Sequence, residues 1–138
     1  MKATMTAINP PHTTNIFARK KIIEWRTFPM PLGTHYVYET KKRFGKGMVI
    51  GTIEIVRNYS FNSVDEIPDY LIEAGYVDRD FLAAYANGRK LYANYLLNPQ
   101  LFDAPKRITC FTSLKKKQLI TQPPQSYMYI DVDEKEKK

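Results

Sequence analysis

The sequence predicts an α+β domain built on a small curled sheet or barrel, with a short helix near its N-terminus and a helical insert in its middle. Three observations lead there. β-branched and aromatic segments recur on both sides of the centre of the 138-residue chain. A single acidic, helix-capped stretch lies between them. Few segments could serve as the crossover helices that a parallel α/β sheet requires.

The elements follow in order. ATMTAI (3–8) reads as a first strand. Asn9 offers a side-chain oxygen as helix N-cap, and Pro10 and Pro11 suit a first turn, where their missing N–H groups would have no partner. A short helix through Phe17 and Ala18 follows. RKKIIEWR (19–26) carries a second strand over 20–26. FPMPLG is a loop closed by Gly33, and THYVYET (34–40) alternates like a half-buried strand. KKRFGKG (41–47) is a basic turn. MVIGTIEIVRNYSFN is a long strand in which Gly51 marks a bulge or a close backbone approach. Ser63 and Glu66 form a capping box, Pro68 splits the helix, and Gly75 ends it. Asp78 caps a second helix, RDFLAAYAN, that stops at Gly88. KLYANYLL and PKRITCFTS are two further strands, and QPPQSYMYI is a last extended piece. The domain is expected to span 1–130, and DVDEKEKK (131–138) to be a charged, disordered tail.

This length fits one compact domain. Ten Tyr and seven Phe supply a sizeable core without staples. One cysteine permits no internal disulfide, which points to a reducing, cytoplasmic setting. No apolar run approaches a membrane span or a secretory leader, so no membrane partner is expected. The net charge of +7 is unevenly spread. Residues 1–59 hold ten Lys or Arg against three acids, 60–103 hold three against seven, and 104–130 hold five and none. If the two basic ends meet in space they make one surface suited to polyanions; otherwise they serve solubility.

The charged strand poses the functional question. Alternation puts Ile22, Glu24 and Arg26 on one face and Lys21, Ile23 and Trp25 on the other. Lys21 meets Glu24 only if the strand is bulged or if Lys21 sits at its mouth and reaches round. The alternative is a solvated edge strand blunted by charge. Arg26 could fork a phosphate, and Glu24 could orient Arg26 or accept from a base amino group. Trp25, Tyr127 and Tyr129 could stack on bases, although the core suits Trp25 better and suits Tyr127 equally well. Cys110, in ITCF, reads as a buried small hydrophobe. His12 and His35 are the two histidines. No Cys/His cluster has metal-ligand spacing and no phosphate-binding loop is present, so no cofactor or metal is expected.

With INPPHTTNIFA before it and PLGTHYVYET and MVIGTIEI after it, RKKIIEWR resembles the ASCH domain family of the PUA-like superfamily. The matching features are Pro10 after the first strand, the Lys-x-x-Glu-x-Arg pattern of Lys21, Glu24 and Arg26, then Gly33, then Val49-Ile50-Gly51. EAGYVDRDFLAAY resembles the family's helical insert and QPPQSYMYI a Pro-Gln-Ser-aromatic ending. The resemblance covers roughly residues 5–130. It implies a PUA-like barrel of five to seven strands, and a cleft beside the Lys-x-x-Glu-x-Arg strand that takes RNA or a nucleotide-like ligand. Lys21, Glu24 and Arg26 are the principal candidates for that site, with Asn9, Pro10, Ser126 and Tyr127 at its rim. Two positions depart from the family pattern. Arg19 stands where a Gly usually precedes the Lys-containing strand. Some bacterial ASCH proteins look like acetylcytidine amidohydrolases that use a Lys, a Thr three residues later and an acid from the insert; here the Thr position is Glu24 and the acid's is Ala74, next to Glu73. A second expectation is therefore a small hydrolase or nuclease with Lys21 and Glu24 as catalytic candidates. A third is a protein-interaction module with no nucleic-acid role.

Overall fold

The computed structural model describes residues 1–133. Seven strands form one mixed sheet in the order β2-β5-β4-β3-β1-β7-β6. They are β1 (Lys2–Ile8), β2 (Ile23–Arg26), β3 (Gly33–Glu39), β4 (Met48–Phe61), β5 (Leu91–Lys106), β6 (Thr112–Ser113) and β7 (Tyr127–Asp131). Helix α1 (His12–Phe17) joins β1 to β2, and α2 (Asp69–Ala74) and α3 (Arg79–Ala86) form the insert between β4 and β5. β1 and β3 run parallel; the other neighbours are antiparallel.

The sheet is open: among the described residues no ladder joins β6 back to β2, so the expected barrel does not close. The reason lies in the edges. β2 pairs over four residues and β6 over two, too few for a closing seam. The sheet nevertheless curls strongly. Nη2 of Arg26, on the β2 edge, donates to the carbonyl of Ala7 on β1 at 3.0 Å. Phe28, just after β2, lies with its ring centroid 5.6 Å from that of Tyr127 on β7. A side chain thus spans the gap that a backbone ladder would close in a barrel.

The curl encloses the core. Met5, Tyr36, Val49, Phe111 and Ile130 pack on one side. Ile8, Ile16, Val37, Ile53 and Leu96 fill the other, so α1 is held by its buried Ile16. β3 contributes to both, and its residues from His35 to Glu39 are all buried. It is a central strand covered on both faces, not the half-buried strand its alternation suggests. Ile23 and Trp25 of β2 pack instead against Leu71, Ile72 and Leu82 of the insert.

Several local readings need revision. Asn9 does not cap α1; its Oδ1 accepts from the Thr40 hydroxyl at 2.7 Å, and the residue preceding α1 is Pro11. Ser63 makes no side-chain cap, although Glu66 accepts from the Asn62 N–H. β5 runs for 16 residues, well past Leu97, where the expected strand ended. It continues through Asn98 and Pro99 because the register slips there against β4. PKRITCFTS, expected as one strand, instead gives the last two residues of β5, a 3-10 turn at Ile108–Cys110 and the two-residue β6, and Cys110 is exposed rather than buried. The expected tail starts inside β7: Asp131 accepts from the N-terminal ammonium at 2.6 Å and Val132 is buried. Residues 134–138 of that tail lie outside the described residues.

Other readings hold. Pro68 separates a 3-10 turn from α2, Gly75 ends α2, and the Asp78 carboxylate accepts from the Phe81 N–H at 2.7 Å. Gly51 sits at a register shift, and a Cβ there would collide with the Gln100 carbonyl oxygen. No helix of the described residues is long and apolar enough to cross a membrane.

Candidate functional site

The charged strand is shorter than its composition suggests, and that decides its geometry. α1 ends in a turn in which Arg19 takes a left-handed conformation, φ 63°. This is the region a glycine adopts freely, at the position where the resembling family has one. The turn is held by the Lys20 and Lys21 N–H groups, which both donate to the Asn15 carbonyl. Lys21 therefore precedes β2 and is released from its alternation. Its Nζ reaches round to lie 3.3 Å from Oε1 of Glu24 and also donates to the Gly75 carbonyl, at the end of α2. Oε2 of Glu24 accepts from Nε and Nη2 of Arg26, at 3.2 and 2.9 Å.

One carboxylate is thus clamped between two cations, and all three side chains are largely withdrawn from water. Burial alone would raise the Glu24 pKa, but Lys21 and Arg26 outweigh it and bring it to about 2. Burial pushes Lys21 below its ordinary value, with Glu24 opposing. The ion-paired form is the one this geometry stabilises.

The triad borders a cavity of about 530 Å³. Lys41 and Lys42 of the loop after β3 add two cations to its rim. His12, at the start of α1, lines it as well. Its Nδ1 is buried with no partner among the described residues. Burial lowers the His12 pKa, Glu24 opposes, and the neighbouring cations reinforce the shift. The opposite wall comes from the insert: Phe81 and Tyr85 of α3 stack with their planes 2° apart. Pro123, Pro124 and Gln125 close the side before β7.

The residues anticipated from the sequence divide between two places. Lys21, Glu24, Arg26 and Asn9 line this cavity. Pro10 is not among its lining residues. Ser126 and Tyr127 line a different hollow, of about 500 Å³, with Lys115, Lys116 and Tyr129. Trp25 borders the first cavity but is 5% exposed and packs in the core with the insert. His12, Phe81 and Tyr85 were not anticipated. A signal for the last two existed: aromatics at i and i+4 lie beside, not on, the apolar stripe of Leu82 and Ala86. For His12 the one sequence cue is its place directly after the two prolines.

The open curled sheet with α1 before a charged edge strand and a two-helix insert is the fold of the ASCH domain. The crystal structure of ASCH from Zymomonas mobilis matches it with a TM-score of 0.76 at 22% identity, over 97% of this chain and 91% of that one. A tyrosine-to-phenylalanine mutant of the same Zymomonas mobilis protein matches with the same score and identity over 97% and 94%. A serine-to-alanine mutant of it matches at 21% identity over 97% and 92%. These likenesses establish the fold. No family model matches the chain, and no curated protein does.

Proposed function

We propose that this chain is an ASCH-type domain that binds RNA or a nucleotide-like ligand in the cavity beside β2. One observation carries the reading. Lys21, Arg26, Lys41 and Lys42 converge with a single carboxylate, Glu24, on one concave volume walled by Phe81 and Tyr85. Cations next to aromatic faces suit a phosphate joined to a base. Arg26 uses Nε and Nη2 on Glu24 and Ala7, its guanidinium lies 5.9 Å from the Phe28 ring centroid, and its Nη1 has no hydrogen-bond partner among the described residues. Glu24 then holds the guanidinium in place and the free end serves the ligand. A cytoplasmic setting, where RNA and a lone unpaired cysteine coexist, fits the same reading.

The hydrolytic alternative draws less support. A carboxylate held at about pKa 2 is a poor general base near neutral pH. Glu73, the nearest acid to the insert position used by the amidohydrolases, is exposed and does not line the cavity. A salt-dependent filter-binding titration with short single-stranded RNA tests the proposal. Binding that weakens as salt rises, and weakens further in Arg26→Ala, is expected. No binding at low salt, or affinity untouched by Arg26→Ala and by Lys21→Ala, would overturn it.

A further inference from the structure

The basic turn at 41–47 presents a side chain that the cavity does not use. Phe44 is fully exposed, at 104% of its reference surface, and no aromatic ring of the described residues lies against it. Exposed apolar side chains are common singly, but a fully bare phenyl ring is costly to keep in water. Lys41, Lys42, Arg43 and Lys46 belong to the same turn, all exposed, with no acid among its residues.

The turn is built, not slack. The buried Glu39 holds it: its Oε1 accepts from the Lys46 N–H at 2.9 Å and its backbone carbonyl from the Gly47 N–H at 2.9 Å. The other carboxylate oxygen accepts from the Thr13 hydroxyl, so the turn is fastened to α1 as well. Gly45 is pressed so closely onto the strand end that a Cβ would collide with the Thr40 carbonyl oxygen. Arg43 and Phe44 both take left-handed conformations, φ 49° and 65°. The same turn supplies Lys41 and Lys42 to the cavity rim.

We propose that Phe44 is a stacking platform for a nucleobase of a single-stranded nucleic acid, one neighbouring nucleotide of which occupies the cavity. This rests on the cavity reading above and narrows it: the ligand is a chain, not a free nucleotide. Charge complementarity selects the occupant. Four exposed cations and one bare aromatic ring in a single turn match phosphates alternating with bases. Because Lys41 and Lys42 serve both the tip and the cavity, the occupant must engage a convex tip and a concave hollow together. A flexible polyanion does so; a flat lipid surface does not.

The test compares short oligouridylate with uridine monophosphate, by fluorescence anisotropy and competition, using wild type, Phe44→Ala and Phe44→Trp. Phe44 is solvent-exposed, so both variants fold. Phe44→Ala is expected to weaken oligouridylate binding about fivefold to a hundredfold and leave the mononucleotide unchanged. Phe44→Trp should restore the oligonucleotide affinity, and its exposed indole should be quenched on binding. Oligonucleotide affinity unchanged in Phe44→Ala overturns the inference while mononucleotide binding still upholds the cavity. Loss of both ligands in equal measure overturns it too. So does Phe44-dependent sedimentation with phosphatidylserine vesicles without an effect on RNA. If wild type binds neither nucleotide ligand, the cavity reading falls first and this one with it.

Discussion

Nζ of Lys21 lies 3.3 Å from Oε1 of Glu24, with the two side chains 1% and 6% exposed. Regular strand alternation would hold them on opposite faces. They meet because the chain turns at Arg19 and Lys21 stands before the strand begins. Glu24 has a second cation in Arg26, whereas Lys21 has Glu24 as its one charged partner among the described residues.

That asymmetry predicts unequal costs. Glu24→Gln leaves two cations without their counter-ion and should destabilise the fold by about 3–5 kcal/mol. Lys21→Met leaves Glu24 still paired with Arg26 and should cost less. Urea unfolding of both variants and the double variant measures this, and the double should cost less than the singles added together. Equal single costs with full additivity would show that the clamp does not operate.

Acid should weaken the fold in two stages. His35 is buried, accepts at Nδ1 from Thr6 and donates from Nε2 to the Pro31 carbonyl, so it is held as one neutral tautomer. Burial brings its pKa from 6.5 down to about 4. The unfolded chain takes up this proton first, so the stability that neutral His35 contributes is complete above about pH 6.5 and is lost as pH falls through about 4. Glu24 acts in the same direction lower down, its contribution present above pH 4.5 and lost toward about 2. One proton in uptake costs about 1.4 kcal/mol per pH unit. Unfolding free energy measured against pH, with the His35 ring followed by NMR, checks both stages. A His35 ring that titrates near 6.5 in the folded protein contradicts the first.

Gly75 reports on the seam between insert and sheet. A Cβ there would lie 2.5 Å from Cδ1 and Nε1 of Trp25, whose ring is fixed in the core. Gly75→Ala should therefore destabilise by about 1–3 kcal/mol through overpacking. Trp25 is the single tryptophan, so its emission should shift red as the ring is displaced. An unshifted spectrum with an unchanged urea midpoint would mean that the seam yields freely.

Lys41 and Lys42 are exposed, and their removal should spare the fold. Lys41→Ala with Lys42→Ala should lower RNA affinity and flatten the dependence of log K on log salt by roughly 0.7 for each phosphate that these lysines neutralise. A lower affinity with an unchanged slope would assign them a role other than phosphate binding.

Features encoded over a few residues were legible in the chain. The Asp78 cap, the Pro68 break, the Gly75 stop and the long strand with its kink at Gly51 each follow from local conformational chemistry. β5 was not, because Asn98 and Pro99 look like a terminator when read alone; the register slip that lets the ladder pass them belongs to the pairing with β4. β3 misled for a related reason: alternation signals one covered face, and only the sheet order places this strand between β1 and β4 with both faces buried.

The site divides along the same line. That Glu24 and Arg26 share a face, and that Lys21 could join them only from the strand's mouth, was determined by the sequence, since two-residue alternation is a property of the backbone. That Lys21 does stand there was decided by the left-handed turn at Arg19 and by Asn15 drawing in two N–H groups. That Phe81, Tyr85, His12 and Lys42 face the same hollow was decided by the curl that brings β2 round to β1. Composition and spacing specify which groups a segment can offer. Which groups share a cavity depends on long-range packing, where burial of Ile23 and Trp25 against the insert outweighs any preference of the segments taken one at a time.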